Sequence, residues 1–165
     1  MPPPPQPMKK SPWDAYREAH HIDGYVEAGH LYKPDFPGRT ASRTHVVFKP
    51  GEEHLCREDQ MGRLVCDYRP INRITEPMAF MMQHAWEMAT WMASKLWKSL
   101  MDMLSGFNHV ATAARAAELL AVQISRGVYC PASMPFGGKN APAVMQTMVT
   151  ECFEALIAAD LFRAS

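Results

Sequence analysis

The spacing of apolar and polar positions along the chain switches repeatedly between a helical period and a strand period. Ser11-Pro12-Trp13-Asp14 offers a helix start, with Ser11 as cap and Pro12 at the first helical position. Trp13 to Ala28 then predicts a helix with Tyr16, Ala19, Ile22 and Val26 on one face, and Gly29 as its stop. Residues 32–44, with Pro34, Pro37 and Gly38, read as loop. His45 to Phe48 is a short strand ended by Lys49-Pro50-Gly51, and Arg63 to Tyr68 is the returning strand of a hairpin whose polar tip spans 51–62. Residues 78–92 keep helical spacing at 78, 81, 82, 85, 88, 89 and 92, and their five methionines read as core filler, with an adaptable partner groove as the alternative. Leu96 to Met103 is a further apolar run ending in a strand that carries Asp102, with Ser105-Gly106 marking a sharp turn after it. Ala111 to Gln123 has helix-forming composition, and Gly127 and Pro131 punctuate a hairpin. The clearest helix follows Met134 to Asn140: Asn140 is placed to cap it, and Met145, Met148, Val149, Cys152, Phe153, Leu156 and Ile157 form its apolar stripe.

Helices and strands in this order predict an α/β (α+β) chain. At 165 residues and 47% apolar, it is large enough for one packed domain. Residues 1–12, with five prolines in the first seven positions, read as an extended, solvated, disordered tail, leaving 13–165 as the folded part. Seventeen basic and seventeen acidic side chains cancel. That balance excludes a nucleic-acid clamp acting through bulk charge alone, but not an enzyme with local basic contacts. No run of about 18 apolar residues exists for a membrane span, and the proline-rich start does not read as a secretory signal. Cys56, Cys66, Cys130 and Cys152 show no C-x-x-C spacing, which points to reduced thiols in an intracellular setting. His20-His21 and the loose set His54, Cys56, Cys66 match no metal-ligand pattern and read as solvated loop histidines.

Asp102 needs a reason to sit at the end of an apolar run. A carboxylate there either binds a cation or caps the neighbouring Ser105-Gly106 turn, since burial without a partner costs several kcal/mol.

Three blocks in order resemble a known family. Arg63-Leu-Val-Cys-Asp67-Tyr68-Arg69-Pro-Ile-Asn72-Arg73 resembles the R-x-x-V-D-Y-R-x-L-N-K block of reverse transcriptases. Leu100-Met-Asp102-Met-Leu-Ser105-Gly106-Phe107-Asn-His-Val110 is similar to their L-D-L-x-S-G-Y-x-Q-I block. Met134-Pro135-Phe136-Gly137-Gly-Lys-Asn140-Ala141-Pro142-Ala-Val-Met-Gln146 is similar to M-P-F-G-L-x-N-A-P-A-x-F-Q. Order and separations resemble those of gypsy-type LTR retrotransposons, and Val26 to Pro34 is similar to their L-x-x-G-I-I-x-P-S segment. The likeness covers roughly residues 15–157. It departs at Phe107, where Tyr is usual, and in the long acidic 51–61 loop, where Lys49 and Arg57 are the candidates for a basic residue at the tip. The Y-x-D-D block is absent and is expected at or just past Ser165. Asp160 does not stand in that context.

The resemblance implies the fingers and the N-terminal half of the palm of a right-hand polymerase, with an incomplete antiparallel palm sheet and packed helices. It implies RNA-directed DNA synthesis in the complete enzyme. A primer 3′ hydroxyl attacks a deoxynucleoside triphosphate on an RNA or DNA template, with Mg2+ stabilising the attacking and leaving oxygens. Asp102 takes the place of the first metal-binding, catalytic carboxylate. Arg63, Met103, Leu104, Phe107, Phe136 and Gly137 take nucleotide-binding places, and Asn140 and Gln146 template or primer places. Each has a plainer alternative: Arg63 paired with Asp67 or Glu58, Phe107 in the core, Gln146 on a helix surface. The implied partners are template-primer, dNTP and the remainder of a Pol polyprotein. The isolated chain, with one such carboxylate in context, is expected to be inactive. The competing reading is a non-catalytic retroelement remnant acting as a nucleic-acid or protein interaction module.

Overall fold

The computed structural model describes residues 9–35, 40–48, 50–51, 60–82 and 84–163. The tail over residues 1–8 and much of the 51–62 hairpin tip, with His54, Cys56, Arg57 and Glu58, lie outside the described residues, as does Lys49. The first helix, α1, spans Pro12–Glu27, and Ser11 caps it by accepting from the Asp14 amide. Its buried face matches the expected one at Ile22 but not at Tyr16 or Val26. Tyr16 and Val26 are exposed, whereas Arg17, Glu18 and Ile22 are buried. Two polar contacts explain the difference. Arg17 lies between the rings of Trp13 and Phe48, and Glu18 takes the Lys10 ammonium and the Thr44 hydroxyl. Lys10, expected in the solvated tail, is therefore folded against the helix. His20 and His21 are helical rather than in a loop, and His21 Nε2 bonds the Met61 carbonyl at 2.9 Å.

The strands are β1 (Leu31–Tyr32), β2 (Ser42–Val47), β3 (Arg63–Asp67), β4 (Val122–Ile124) and β5 (Gly127–Pro131). They form one sheet in the order β1-β5-β4-β2-β3. The predicted hairpin is present, with His45 opposite Val65 and Val47 opposite Arg63. β2 starts at Ser42, so the predicted loop is shorter at both ends than 32–44. The α+β class holds, with one difference in the sheet: β2 and β4 run parallel, Ser42 opposite Val122, so the sheet is mixed rather than antiparallel throughout. The 111–123 segment shows why. Ala111 bridges Ser133, α4 occupies only Ala114–Leu119, and Val122 to Ile124 is drawn into the sheet between β2 and β5. Tertiary pairing overrides helix-forming composition here.

The core lies where α1 crosses the sheet. Ile22, Tyr68, Ile71, Val122, Ile124 and Tyr129 form its main cluster, with Ala117, Ala121 and Cys130 as a second. Tyr68 immediately precedes α2 (Arg69–Ile74) and donates its hydroxyl to the Leu120 carbonyl at 3.0 Å, which satisfies the one polar atom of a buried ring.

Beyond α2 the sequence pattern is a poorer guide. The helix expected over 78–92 is α3, Ala85–Ser94, and it has no buried residue. Met78, Met81 and Met82 are exposed, so the methionine stripe is not core filler. The Met78 amide is held by the Asn140 side chain, which fixes the backbone outside a helix at the point where the pattern would start one. Residues 98–103 carry no regular structure. A strand needs a neighbour for its backbone groups, and no described segment pairs with this run. Leu100 is 93% exposed and Trp97 is 89% exposed. The final helix is broken at Phe153, where its ring stacks on Phe162, into α5 (Ala141–Cys152) and α6 (Glu154–Ala158). Only Ala141 and Ala143 of α5 are buried, so the apolar stripe packs only in part.

Candidate active site

The three blocks meet around the loop 134–140. From one side comes a 3-10 turn, Gly106–His109, entered through Ser105, whose backbone is left-handed (φ 52°) as the sharp-turn reading requires. This turn packs on α5. The Gly106 Cα is so close to Met145 that a β-carbon there would lie 3.0 Å from the Met145 methyl. Met134 N donates to the Val110 carbonyl at 2.8 Å, and Thr112 N to the Ala132 carbonyl at 2.9 Å, lacing the second block to the third. The Phe107 and Phe136 rings then meet edge to face, 4.8 Å apart.

From the other side comes the end of the hairpin. Gly137 adopts φ +93°, a conformation that side-chain-bearing residues rarely hold, and its Cα faces the Tyr68 ring. Asn72 donates from Nδ2 to the Gly137 carbonyl at 2.9 Å and accepts on Oδ1 from the Lys139 amide at 2.9 Å. Lys139 Nζ reaches the Thr75 carbonyl at 2.8 Å. Asn140 holds the N-cap position of α5, but its side chain makes no capping bond. Its Nδ2 donates to the Glu76 carbonyl at 2.9 Å and its Oδ1 accepts from the Met78 amide at 3.0 Å. One of its two partners, the Met78 amide, stands where the sequence pattern would start the 78–92 helix, so the same bond takes the Asn140 side chain from α5 and keeps the first residue of that stretch out of α3. The Asn140 side-chain amide is thus engaged with the backbone of 76–78. Asn72 was quoted in the motif without a role, and its signal is visible only in three dimensions.

Asp102 lies on the exposed segment just before the turn, not at a strand end. Among the described residues no hydrogen bond or ion pair engages its carboxylate, so it does not cap the Ser105-Gly106 turn. Met103 and Leu104 are exposed beside it, and His109 Nε2 bonds the Leu104 carbonyl at 3.1 Å. Arg63 opens β3 with an exposed side chain. It is not paired with Asp67, whose carboxylate is gripped by Arg69 instead, through Nε at 2.7 Å and Nη2 at 2.8 Å. That hydrogen-bonded guanidinium holds the Asp67 carboxyl down at about 2. The Cys66 thiol beside it is pushed up to about 11 by burial. Gln146 sits half-buried on α5. The structure thus brings Phe107 against Phe136, next to Gly137, ties Asn140 to the backbone of 76–78 and leaves Arg63 at the hairpin.

Residues 57–162 match the family model described as reverse transcriptase (RNA-dependent DNA polymerase). The chain belongs to the reverse transcriptase family. A retrovirus-related Pol polyprotein from transposon 412 of Drosophila melanogaster is 28% identical over 120 residues, 73% of this chain and 10% of that protein. Among solved structures, the native prototype foamy virus protease-reverse transcriptase superposes with a TM-score of 0.71 at 22% identity, over 93% of this chain and 19% of that one. The foamy viral protease-reverse transcriptase in complex with an RNA/DNA hybrid gives 0.72 at 18% identity, over 94% and 20%. Its complex with dsDNA gives 0.72 at 19%, over 94% and 31%. These likenesses fix the fold, and the reverse transcriptase chain described here spans a minor part of each relative's length.

Among the described residues no group of three or more His, Cys, Asp or Glu could hold a metal ion. Asp102 offers one hard oxygen donor, enough for one position of a magnesium shell and not for a site by itself. No helix among the described residues is long and apolar enough to cross a membrane.

Proposed function

We propose that this chain supplies the fingers and adjoining palm segment, residues 13–165, of an RNA-directed DNA polymerase, and that by itself it does not polymerise. The observation that carries this reading is the meeting of Phe107 and Phe136 in a loop cluster fed by all three motif blocks, with Asp102 exposed on the approach to it. In the complete enzyme the partners are an RNA or DNA template-primer and a dNTP. Phe107 lies under the sugar ring, and its bulk excludes a 2′ hydroxyl. Phe136 and Gly137 pack against the incoming nucleotide, and the backbone of Met103 and Leu104 faces its triphosphate. Arg63 reaches the same phosphates with a bidentate guanidinium. Asp102 would supply one carboxylate oxygen to Mg2+, which when bound would stabilise the attacking and leaving oxygens; no metal-binding group forms around it among the described residues. The remainder of a Pol polyprotein would supply further donors. Thiols at Cys66, Cys130 and Cys152 support an intracellular setting.

The second reading, a non-catalytic interaction module, is favoured by one observation: Met81, Trp86, Leu96, Trp97, Leu100 and Leu104 are exposed along one stretch of chain. A primer-extension assay with magnesium on this chain separates the two. No extension is expected, and extension on adding a polypeptide that carries the Y-x-D-D half would support the polymerase reading. Extension by the chain alone overturns its inactivity. A salt-dependent gel shift that no added half converts to extension would favour the module.

A further inference from the structure

Past the Met134 N bond to the Val110 carbonyl, the loop 134–140 is fastened to the 72–78 segment by side-chain bonds. Asn72, at the end of the first block, spans the loop by taking the Gly137 carbonyl and the Lys139 amide together. Asn140, at the loop's far end, does the same in the opposite direction, taking the Glu76 carbonyl and the Met78 amide. Both amides use a donor and an acceptor, so each reads a carbonyl and an N–H two residues apart and fixes the local backbone direction as well as its position. Lys139 Nζ on the Thr75 carbonyl adds a fifth bond between the same two segments. Phe136 itself is 57% exposed, so burial contributes little to its placement. What sets its ring against Phe107 is the backbone beneath it.

We infer that Asn72 and Asn140 are positioning residues that together hold Phe136 against Phe107, locking the loop 134–140 and the segment 72–78 into one rigid unit. This deepens the polymerase reading, on which the loop is the nucleotide-facing surface. Neither amide touches the nucleotide. They act by fixing the loop that does.

The test uses isotope-labelled chain and amide hydrogen exchange with ring-to-ring nuclear Overhauser contacts. Asn72→Ala should speed exchange at the Lys139 amide by about tenfold and leave Met78 protected. Asn140→Ala should do the reverse. The double variant should lose the Phe107–Phe136 contact while Tyr68 keeps its core contacts. If the alanine pair fails to fold, Asn72→Asp with Asn140→Asp decides. These variants keep the acceptors for Lys139 and Met78 and lose the donors to Gly137 and Glu76, so the ring contact should weaken while both amides stay protected. Unchanged exchange in the single variants, or an intact ring contact in whichever double variant folds, overturns the inference. None of these readouts needs polymerisation. Failure of the extension experiment would strike the functional reading alone, and an unmoved ring contact would strike the clamp alone.

Discussion

Phe107 and Phe136, 29 positions apart in two motif blocks, meet with their ring planes inclined at 70° and their centroids 4.8 Å apart. An edge-to-face pair of this kind is worth about 0.5–1.5 kcal/mol beyond the area it covers. Phe107 is half-buried and Phe136 exposed, so the pair has one supported ring and one open to a ligand. In a completed polymerase, Phe107→Val should raise ribonucleotide incorporation, because it removes bulk beneath the sugar. The ratio of ribo to deoxy incorporation in single-nucleotide extension measures this, and an unchanged ratio would remove Phe107 from sugar selection.

The hairpin depends on a missing side chain at its return. Gly62 has φ +62°, and a β-carbon there would lie 2.7 Å from Val46 Cγ1 and 2.8 Å from the Val47 carbonyl oxygen. The oxygen belongs to the backbone and cannot swing aside. Gly62→Ala should therefore destabilise the chain by about 2 kcal/mol, combining left-handed strain with the clash. Urea unfolding reads the loss as a lower midpoint, and a midpoint within error of the parent would rule out the steric argument.

The elements that could be read directly were those whose signals are local. Ser11 and Pro12 start α1 where the cap chemistry places them, and the β2–β3 hairpin follows its turn residues. The three motif blocks were legible because residue identity carries them. Illegible features were set by partners distant in sequence. Asn140 was read as a cap because the helix after it is local, whereas its actual partners at 76 and 78 are over sixty positions away. The buried face of α1 was legible at Ile22 but not at Glu18, whose burial depends on Lys10 and Thr44 and not on apolar spacing. The strand expected before Asp102 had the right composition, but a strand is a property of a pair, and the described residues offer it no neighbour.

Asp67 and Arg69 give the stability a dependence on acid. The Arg69 guanidinium, bonded to both carboxylate oxygens, holds the Asp67 carboxyl at about 2, below the usual carboxylate range. A lowered folded-state value means that the stabilisation is fully present above the unfolded value near 4 and is lost as pH falls toward 2. Asp67→Asn should remove that contribution. The difference in unfolding free energy between parent and variant should stay constant above about pH 5 and shrink between pH 4 and 2. Denaturant titrations across that window test this, and a difference that does not change with pH would show that the pairing contributes no linkage.

The cluster of Lys10, Glu18 and Thr44 makes the opposite kind of prediction, since it is buried rather than rim-exposed. Glu18 is 1% exposed and receives both the Lys10 ammonium and the Thr44 hydroxyl, while Lys10 Nζ also donates to the Thr44 carbonyl at 2.8 Å. Removing the cation leaves a carboxylate in the core with its charge uncompensated, which typically costs about 3–5 kcal/mol. Lys10→Met should show a loss of that order. Replacing both ions, Lys10→Met with Glu18→Leu, should recover most of it, because two apolar side chains of similar volume need no desolvated charge. A double-mutant cycle in urea measures the coupling directly. If Lys10→Met cost under about 0.5 kcal/mol, the contact would be a surface pair of ordinary weakness, and residues 9–11 would have no part in holding α1 to β2.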